Sequence, residues 1–207
     1  TVNNMYAIQT TNLTKYYGKS RGIVDLNLAV KKGEFFGFIG PNGAGKSTCI
    51  RTLLGLIKSS SGSATVLGLD IQQNKTEILK RVGYMPSETM FYAGMRVKDV
   101  LKLSADLRKV NCSEEAGILC ERLQLDVNKK VEELSYGNKK KVSIVCALQH
   151  KPELLILDEP TAALDPIAEN ELYLKYGEAA RNRTSLYISH RLSSTRFCDR
   201  IILLEDA

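Results

Sequence analysis

The segment from Gly40 to Ser47 constrains the fold more than any other part of the chain. It reads Gly-Pro-Asn-Gly-Ala-Gly-Lys-Ser and matches the pattern G-x-x-x-x-G-K-[ST]. The apolar run Phe35 to Ile39 precedes it, and the helix-like run Thr48 to Leu54 follows it. A glycine-rich turn between a buried strand and a helix start is typical of a helix-covered parallel sheet. The motif therefore predicts an α/β fold.

The residue types of this loop also predict phosphate binding. Glycines let the backbone curl until its N–H groups face a phosphate, and the dipole of the following helix adds positive potential. Lys46 is placed to neutralise β- and γ-phosphates, and the hydroxyl of Ser47 to bind Mg²⁺. A nucleoside triphosphate with Mg²⁺ is the expected ligand.

Short continuous apolar runs recur along the chain and predict further strands. Such runs are typical of strands buried on both faces in a parallel sheet. They are Phe35–Ile39, Val82–Met85, Leu154–Leu157, Leu186–Ile188 and Ile201–Leu204. The segment from Tyr6 to Val30 alternates more and favours an antiparallel piece beside the main sheet. The serine-rich stretch Ser59 to Ser63 is expected to be a loop.

The stretch from about Val97 to Leu148 has helical spacing instead, with few strand signals. Its apolar positions at that spacing are Val100, Leu103, Leu107, Ile118, Leu119, Leu123, Ile144, Val145 and Leu148. We therefore expect one domain over residues 1–207. Residues 1–88 and 150–207 would form its sheet core, and about 89–149 a helical subdomain inserted between them.

Composition excludes several classes of protein. No run approaches the roughly 18 consecutive apolar residues of a membrane-spanning helix. Five scattered cysteines without metal-ligand spacing argue against a zinc site or a complete disulfide framework, and fit a reducing cytosol. The net charge of +6 is compatible with nucleic acid, an acidic membrane surface or an anionic nucleotide. Because 29 basic residues are interleaved with 23 acidic ones, it equally fits plain solubility.

Two adjacent carboxylates end the apolar run Leu154 to Leu157. Asp158 and Glu159 follow it directly, at the edge where a parallel sheet collects its ligand-binding residues. Asp158 is expected to bind Mg²⁺ through the metal's water shell. Glu159 is expected to polarise the attacking water, the task that remains once metal and phosphates are held. The pair predicts nucleotide hydrolysis.

The segment Leu134-Ser-Tyr-Gly-Asn138 lies shortly before the carboxylate strand and resembles the signature motif of ABC proteins, whose usual form is LSGGQ. The chain resembles the ATP-binding subunits of ABC transporters over essentially its whole length. The resemblance implies a P-loop NTPase (RecA-like) fold. That fold has a mostly parallel sheet core, a flanking antiparallel β piece and an inserted helical subdomain that carries the signature.

The resemblance implies that Ser135 and Gly137 bind the γ-phosphate of an ATP molecule that is held by the phosphate loop of a second subunit. Tyr136 and Asn138 depart from the usual glycine and glutamine. Tyr17 matches the aromatic residue that stacks on adenine, with Tyr16 as the competing candidate. The nucleotide-contacting residues implied together are Tyr17, Gly40, Pro41, Asn42, Gly43, Ala44, Gly45, Lys46, Ser47, Thr48, Ser135 and Gly137.

Two further segments are similar to ABC motifs, and a third departs from its motif at one position. His190 matches the switch histidine that contacts the γ-phosphate, and Ala162 to Asp165 match the loop that touches the opposite subunit. One position departs, because Ser87 stands where the family has a glutamine that contacts Mg²⁺ and the attacking water. Ser87 or Glu88 is expected to substitute. The cluster Lys139 to Lys141 is either near nucleotide phosphate or a solvated surface feature.

The resemblance implies an ATPase that drives transport through a separate membrane permease, at the cytoplasmic face of the cell membrane. Its partners would be a second ATP-binding subunit, identical or not, and the permease, with no nucleic acid. Thr14 to Pro166 most resembles separate ATP-binding subunits of bacterial multidrug or antibiotic-peptide exporters. Leu186 to Asp206 looks more like exporters that fuse both functions in one chain. Two alternatives stay open: a soluble ABC ATPase acting on ribosomes or nucleic acid, and a low-turnover regulatory nucleotide-binding subunit.

Overall fold

The computed structural model describes residues 5–161, 170, 174, 183–190 and 198–204. The strands in this part of the chain are β1 (Tyr6–Tyr17), β2 (Ser20–Leu26), β3 (Ala29–Lys31), β4 (Phe35–Ile39), β5 (Ser61–Val66), β6 (Leu69–Asp70), β7 (Val82–Met85), β8 (Leu154–Asp158), β9 (Thr184–Ser189) and β10 (Arg200–Leu203). The helices are α1 (Lys46–Leu53), α2 (Lys75–Arg81), α3 (Val97–Arg108), α4 (Ser113–Arg122) and α5 (Tyr136–Leu148), with a short 3-10 helix at Val131–Glu133. None of the helices described is long and apolar enough to span a membrane.

Five strands form a parallel sheet in the order β10-β4-β9-β8-β7. All four neighbouring pairs run parallel. Strand β9 lies between β4 and β8, with Ile39 opposite Ser189 and Asp158 opposite Ile188. The carboxyl ends of these three strands therefore lie side by side. The predicted α/β fold is confirmed, and this edge of the sheet is where the candidate site lies.

The strands of this sheet contain continuous apolar runs because the described sheet is covered on both faces. On β8, Leu154 and Ile156 belong to a core shared with α1 and the antiparallel sheet. Leu155 and Leu157 belong to a second core, shared with α3, α4 and α5. All four are at most 2% exposed. Full burial of such a side chain contributes about 1.5–3 kcal/mol to the stability of the fold. A strand in which apolar and polar residues alternate could contribute to only one of the two cores.

Strand β10 departs from this pattern. The run Ile201–Leu204 was expected to be buried on both faces, but Ile201 is 43% and Leu203 56% exposed. The reason is that β10 is the edge strand of the described sheet, paired with β4. An edge strand can keep an apolar composition while its side chains remain partly in water.

The second sheet is antiparallel, as predicted for the N-terminal segment. Its order is β2-β1-β5-β6, and β3 also pairs with β1. The loop expected at Ser59 to Ser63 is wrong in its second half, because β5 begins at Ser61 and pairs with β1. Gly62 makes this pairing possible: it has φ +75°, and a Cβ there would lie 2.2 Å from the carbonyl oxygen of Asn12.

Helices α3, α4 and α5 lie within the segment predicted to be helical. Most of the apolar positions singled out by their spacing are buried, as the core of Val100, Leu119 and Leu148 illustrates. Two of these positions lie on helices but not in the core, since Leu107 is 77% and Ile118 40% exposed. Leu107 is the last residue but one of α3, whereas Ile118 lies in the middle of α4, next to the buried Leu119 and Cys120, on a side of the helix that is open to solvent. The division of the domain at 89 and 149 stays a prediction.

Candidate functional site

The phosphate loop joins the end of β4 to the start of α1. At two positions of the loop the backbone leaves no space for a side chain, so glycine is required. A Cβ at Gly40 would lie 2.5 Å from the carbonyl oxygen of Leu204. Gly45 has φ +92°, and a Cβ there would lie 2.3 Å from the carbonyl oxygen of Gly22. The loop is therefore closely enclosed by β10 and β2, and its path depends on the absence of side chains at these positions.

Lys46 is the first residue of α1 and is only 6% exposed. Its Nζ donates to the carbonyl oxygens of Gly40 and Pro41, at 2.6 Å each. The ammonium group thus lies over the loop that the glycines shape. Ser47 follows it and is exposed, and no acidic side chain occurs in the first turn of α1. Positive charge and a helix N-terminus without a side-chain cap together favour an anion at this place.

Asp158 ends β8 and is 4% exposed. Burial, and then the charge of Glu159, raise the pKa of the Asp158 carboxyl from 3.8 to about 6. Lys140, Lys46 and Arg51 act in the opposite direction. A nearly buried carboxylate of this kind gains from a counter-cation. Together with the Ser47 hydroxyl it suits Mg²⁺, which uses one or two protein oxygens and takes its remaining ligands from phosphate and water. No group of three metal-ligating side chains occurs in the part of the chain that the structure describes.

Glu159 has a left-handed backbone, with φ +46°. Its N–H donates to the carbonyl oxygen of Ile188 at 3.0 Å, so the neighbouring strand holds this conformation. A non-glycine residue in the left-handed region costs of order 1 kcal/mol or more and persists only where surrounding contacts impose it. The consequence is that the backbone leaves its extended path at Glu159, directly after β8 ends at Asp158.

His190 follows β9 and meets Glu159. Its Nδ1 lies 2.9 Å from Oε1 of Glu159. Because β8 and β9 are neighbours with Asp158 opposite Ile188, the residues just beyond them are brought together. A carboxylate can only accept, so Nδ1 carries the proton in this contact, and the imidazole fixes the direction of the carboxylate.

The signature segment begins α5. Ser135 is the N-cap residue, and its Oγ accepts a hydrogen bond from the N–H of Asn138 at 3.3 Å. Gly137 lies in the first turn of the helix, and Ser135 and Tyr136 are exposed. A hydroxyl and the first N–H groups of α5 are thus presented at the surface, as an anion-binding helix start requires.

The two tyrosine candidates differ in their surroundings. Both are exposed, Tyr16 by 42% and Tyr17 by 46%. A Cβ built on Gly22 would lie 3.2 Å from Cε2 of Tyr17 and 3.0 Å from Cγ2 of Thr48. The Tyr17 ring is therefore on the side of the phosphate loop, whereas the Tyr16 N–H donates to Ser60 Oγ at 3.0 Å. This arrangement favours Tyr17 as the aromatic residue next to a bound nucleotide.

Ser87 and Glu88 lie on the loop after β7. The structure joins this loop to the signature helix through Lys140, whose Nζ donates to the carbonyl oxygen of Ser87. Lys140 is completely buried, whereas Lys139 and Lys141 are partly exposed. A solvated surface cluster is therefore wrong for Lys140. Its helical spacing from the apolar Ile144 and Leu148 was the signal that it belongs to the buried face. The segment 162–165, likened to the inter-subunit loop, lies outside the described residues.

Replacing Asp158 with asparagine is expected to raise the midpoint of thermal unfolding in buffer without nucleotide or metal. The folded-state pKa of about 6 lies above the ordinary value of 3.8, so the folded state binds more protons between these values. Stability supplied by the protonated carboxyl is present below pH 4 and is lost as pH rises through 6. At pH 8 the loss amounts to at most about 3 kcal/mol.

The measurement is the unfolding midpoint of both proteins at pH 5 and pH 8, with the gain from Asp158→Asn larger at pH 8. The exposed Asp106→Asn, in which a pair with Lys102 is lost at the surface, is the matched control and should show no such gain. A lower midpoint for Asp158→Asn at pH 8 would contradict the cost assigned to the buried charge.

Comparison with known proteins agrees with this geometry. The sequence profile of the family described as ABC transporter matches residues 23–162. The bacitracin transport ATP-binding protein of Bacillus licheniformis is 41% identical over 191 residues, covering 90% of this chain and 62% of that protein. The linearmycin resistance ATP-binding protein of Bacillus subtilis is 34% identical, covering 96% of this chain and 66% of its own length. The chain thus spans less than two thirds of the length of these relatives.

Solved structures give the same result. An ATP-binding subunit of an ABC transporter superimposes with a TM-score of 0.84 at 28% identity, covering 96% of this chain and 85% of that one. A dimeric bacterial ABC transporter cassette superimposes with a TM-score of 0.82 at 26% identity, covering 96% of this chain and 94% of its own.

Proposed function

Because this chain belongs to the ABC transporter family, we propose that it is the ATP-binding motor of an exporter: it binds Mg-ATP, hydrolyses it and drives a separate membrane permease. Relatives that act in bacitracin transport and linearmycin resistance support export over the ribosomal and nucleic-acid alternative. Localisation at the cytoplasmic face of the membrane follows from such a partnership.

The observation that carries the proposal is the convergence of Lys46, Asp158 and Glu159 at one edge of the parallel sheet, with His190 against Glu159. Lys46 and the N–H groups at the start of α1 would bind the β- and γ-phosphates. On binding, the ammonium group exchanges its two carbonyl acceptors for phosphate oxygens, which carry full charge. This exchange gives a charge-assisted hydrogen bond in place of a neutral one.

Ser47 and Asp158 are the residues that would hold Mg²⁺, which neutralises charge on the β- and γ-phosphates when bound. Glu159 acts as the general base that orients the attacking water and accepts its proton. The proton on Nδ1 of His190 holds the Glu159 carboxylate in one direction, so this base does not have to be ordered during the reaction. The proton taken from water leaves with the products when the site reopens.

The site requires a second subunit in this proposal. Ser135 and the first turn of α5 present a hydroxyl and N–H groups at the surface, and their hydrogen-bonding capacity suits the γ-phosphate held by another copy or a related chain. A related cassette of known structure is dimeric. In a head-to-tail pair each ATP is then enclosed by the phosphate loop of one subunit and the signature of the other.

An apolar groove beside the Ser87 loop is the proposed docking surface for the permease. It encloses about 490 Å³ between the end of α1, β7, the loop after β7 and α3. Its rim includes Met90, Tyr92 and Leu107, exposed by 88%, 74% and 77%. Exposed apolar side chains grouped in this way mark a protein contact, and a short amphipathic helix of the permease would fill the groove. Its place next to Ser87 links the contact to the site.

Replacing Leu107 with glutamate is expected to weaken binding of the chain to its permease roughly tenfold or more, because a charge placed in an apolar contact opposes its desolvation and anchors of this kind exceed about 1 kcal/mol. ATP hydrolysis by the chain alone should not change, since Leu107 lies outside the site. The measurement is the amount of chain retained by the co-expressed, detergent-solubilised permease.

Ile118→Glu is the matched control, because Ile118 is an exposed apolar residue on α4 that does not line the groove. Equal retention of both variants at wild-type level would remove the groove from the proposal. Equal loss from both would indicate a contact wider than the groove.

A further inference from the structure

Lys140 is a fully buried lysine in the signature helix. Its relative exposure is 0%, although it stands between the partly exposed Lys139 and Lys141. An ammonium group is almost never enclosed unless it is paired, because its desolvation costs several kcal/mol. The position therefore has to provide compensating contacts, and these lie on elements of the candidate site.

The direct contacts of Lys140 connect two segments that are distant in sequence. Its Nζ donates to the carbonyl oxygen of Ser87, on the loop that borders the apolar groove. It also lies 5.4 Å from the centre of the Tyr136 ring, in the first turn of the same helix. A cation held by a carbonyl on one side and an aromatic face on the other has a restricted position. The Ser87 loop is thereby tied to the start of α5.

Three carboxylates act electrostatically on this ammonium group. Burial lowers the pKa of Lys140, while Asp158, Glu159 and Glu88 raise it. From the other side, Lys140 precedes Lys46 and Arg51 among the charges that lower the pKa of Asp158. Lys140 is therefore one of three cations that act on the carboxylate that would hold Mg²⁺, and it comes from α5 rather than from the phosphate loop.

We propose that Lys140 is a positioning residue for ATP hydrolysis, which ties the Ser87 loop to α5 and so holds that loop next to Asp158 and Glu159, since Met85 lies opposite Leu157 on the neighbouring strand. The proposal rests on the proposed ATPase function. It has a consequence for coupling: a partner that moves the Ser87 loop from the groove also moves the carbonyl that holds Lys140, and with it the cation beside the two carboxylates.

Replacement by methionine isolates this role, because methionine keeps the length and apolar stem of lysine and removes its charge. We expect kcat for ATP hydrolysis by Lys140→Met to fall about 10- to 100-fold, the effect of a displaced catalytic group. KM should stay within about threefold, because Lys46 and α1 still bind the phosphates. The unfolding midpoint should fall, because the Ser87 carbonyl loses its donor and the buried Asp158 loses a neighbouring cation, so both proteins are assayed at a temperature at which they are folded. Lys140→Arg, which keeps the charge, should recover part of kcat.

Lys98→Met, which removes an exposed lysine of α3, is the matched control and should hydrolyse ATP at the wild-type rate. A wild-type kcat for Lys140→Met would overturn the inference. So would a fall in kcat that is accompanied by an equal loss of ATP affinity and is not recovered in Lys140→Arg, since that combination is the result of a purely structural role. If the unaltered chain with its permease does not hydrolyse ATP, both the proposed function and this inference are wrong. If the unaltered chain hydrolyses ATP and Lys140→Met does so at the same rate, only the inference is wrong.

Discussion

Glu159→Gln is expected to reduce ATP hydrolysis about 10²- to 10⁴-fold, the contribution of a positioned general base. Glutamine keeps the size of the side chain and can accept a hydrogen bond from His190 Nδ1, but it cannot take a proton from water. ATP binding should be preserved, because Lys46 and the N–H groups of α1 are unchanged. The measurement is phosphate release in a single turnover, alongside ATP affinity.

The same variant should accumulate as an ATP-bound dimer, since ATP closes the pair and hydrolysis no longer reopens it. Gel filtration with Mg-ATP would then give a dimer for Glu159→Gln and a smaller dimer fraction for the unaltered chain. Glu121→Gln, on the exposed face of α4, is the matched control and should behave like the unaltered chain. A Glu159→Gln protein that remains monomeric in Mg-ATP would contradict the two-subunit site, or require a different partner chain.

The sheet of this protein was predictable wherever burial dictates composition. Strands β4, β7, β8 and β9 are apolar on successive residues because the described sheet has a core on each face. Strand β5 was not predictable in the same way. Ser61 and Ser63 are polar and exposed, and their strand conformation comes from backbone pairing with β1, which a local pattern does not encode.

Helical spacing identified helices α3 to α5, but it did not predict which of their apolar residues are buried and which are exposed. Leu107 continues the periodicity of α3, yet lies beyond the part of the helix that reaches the core. Lys140 is the converse, a charge on the buried face of α5. Its burial follows from its spacing to Ile144 and Leu148, whereas its contact with Ser87 depends on how α5 packs against β7.

The residues of the candidate site were named from motifs, and their roles stay predictions. Motifs do not predict which of these side chains touch each other. Glu159 and His190 are 31 positions apart, and their 2.9 Å contact depends on β8 and β9 being neighbours and on the left-handed backbone at Glu159. A positive φ at a glutamate is not encoded by propensity, because the neighbouring strand imposes it through the Ile188 carbonyl.

Lys46→Ala is expected to weaken ATP binding about 10²- to 10⁴-fold, because two hydrogen bonds from a cation to charged phosphate oxygens are lost, each contributing about 1.5–3 kcal/mol. The fold should remain, since Lys46 donates to the Gly40 and Pro41 carbonyls and belongs to neither of the two hydrophobic cores described. The measurement is equilibrium binding of ATP. Lys75→Ala, also the first residue of its helix but exposed, is the matched control and should bind normally. Unchanged affinity in Lys46→Ala would remove the phosphate-loop assignment.

Mixing two inactive variants decides whether Lys46 and Ser135 serve the same ATP from different subunits. Ser135→Arg blocks the start of α5 and should be as inactive as Lys46→Ala. In a mixed pair of the head-to-tail kind, one site carries both defects and the other carries neither. Random pairing makes half of the dimers mixed, so an equimolar mixture should recover up to about a quarter of wild-type hydrolysis. No recovery would mean that each site is completed within one chain, and Ser135 would then have no part in binding the partner's nucleotide.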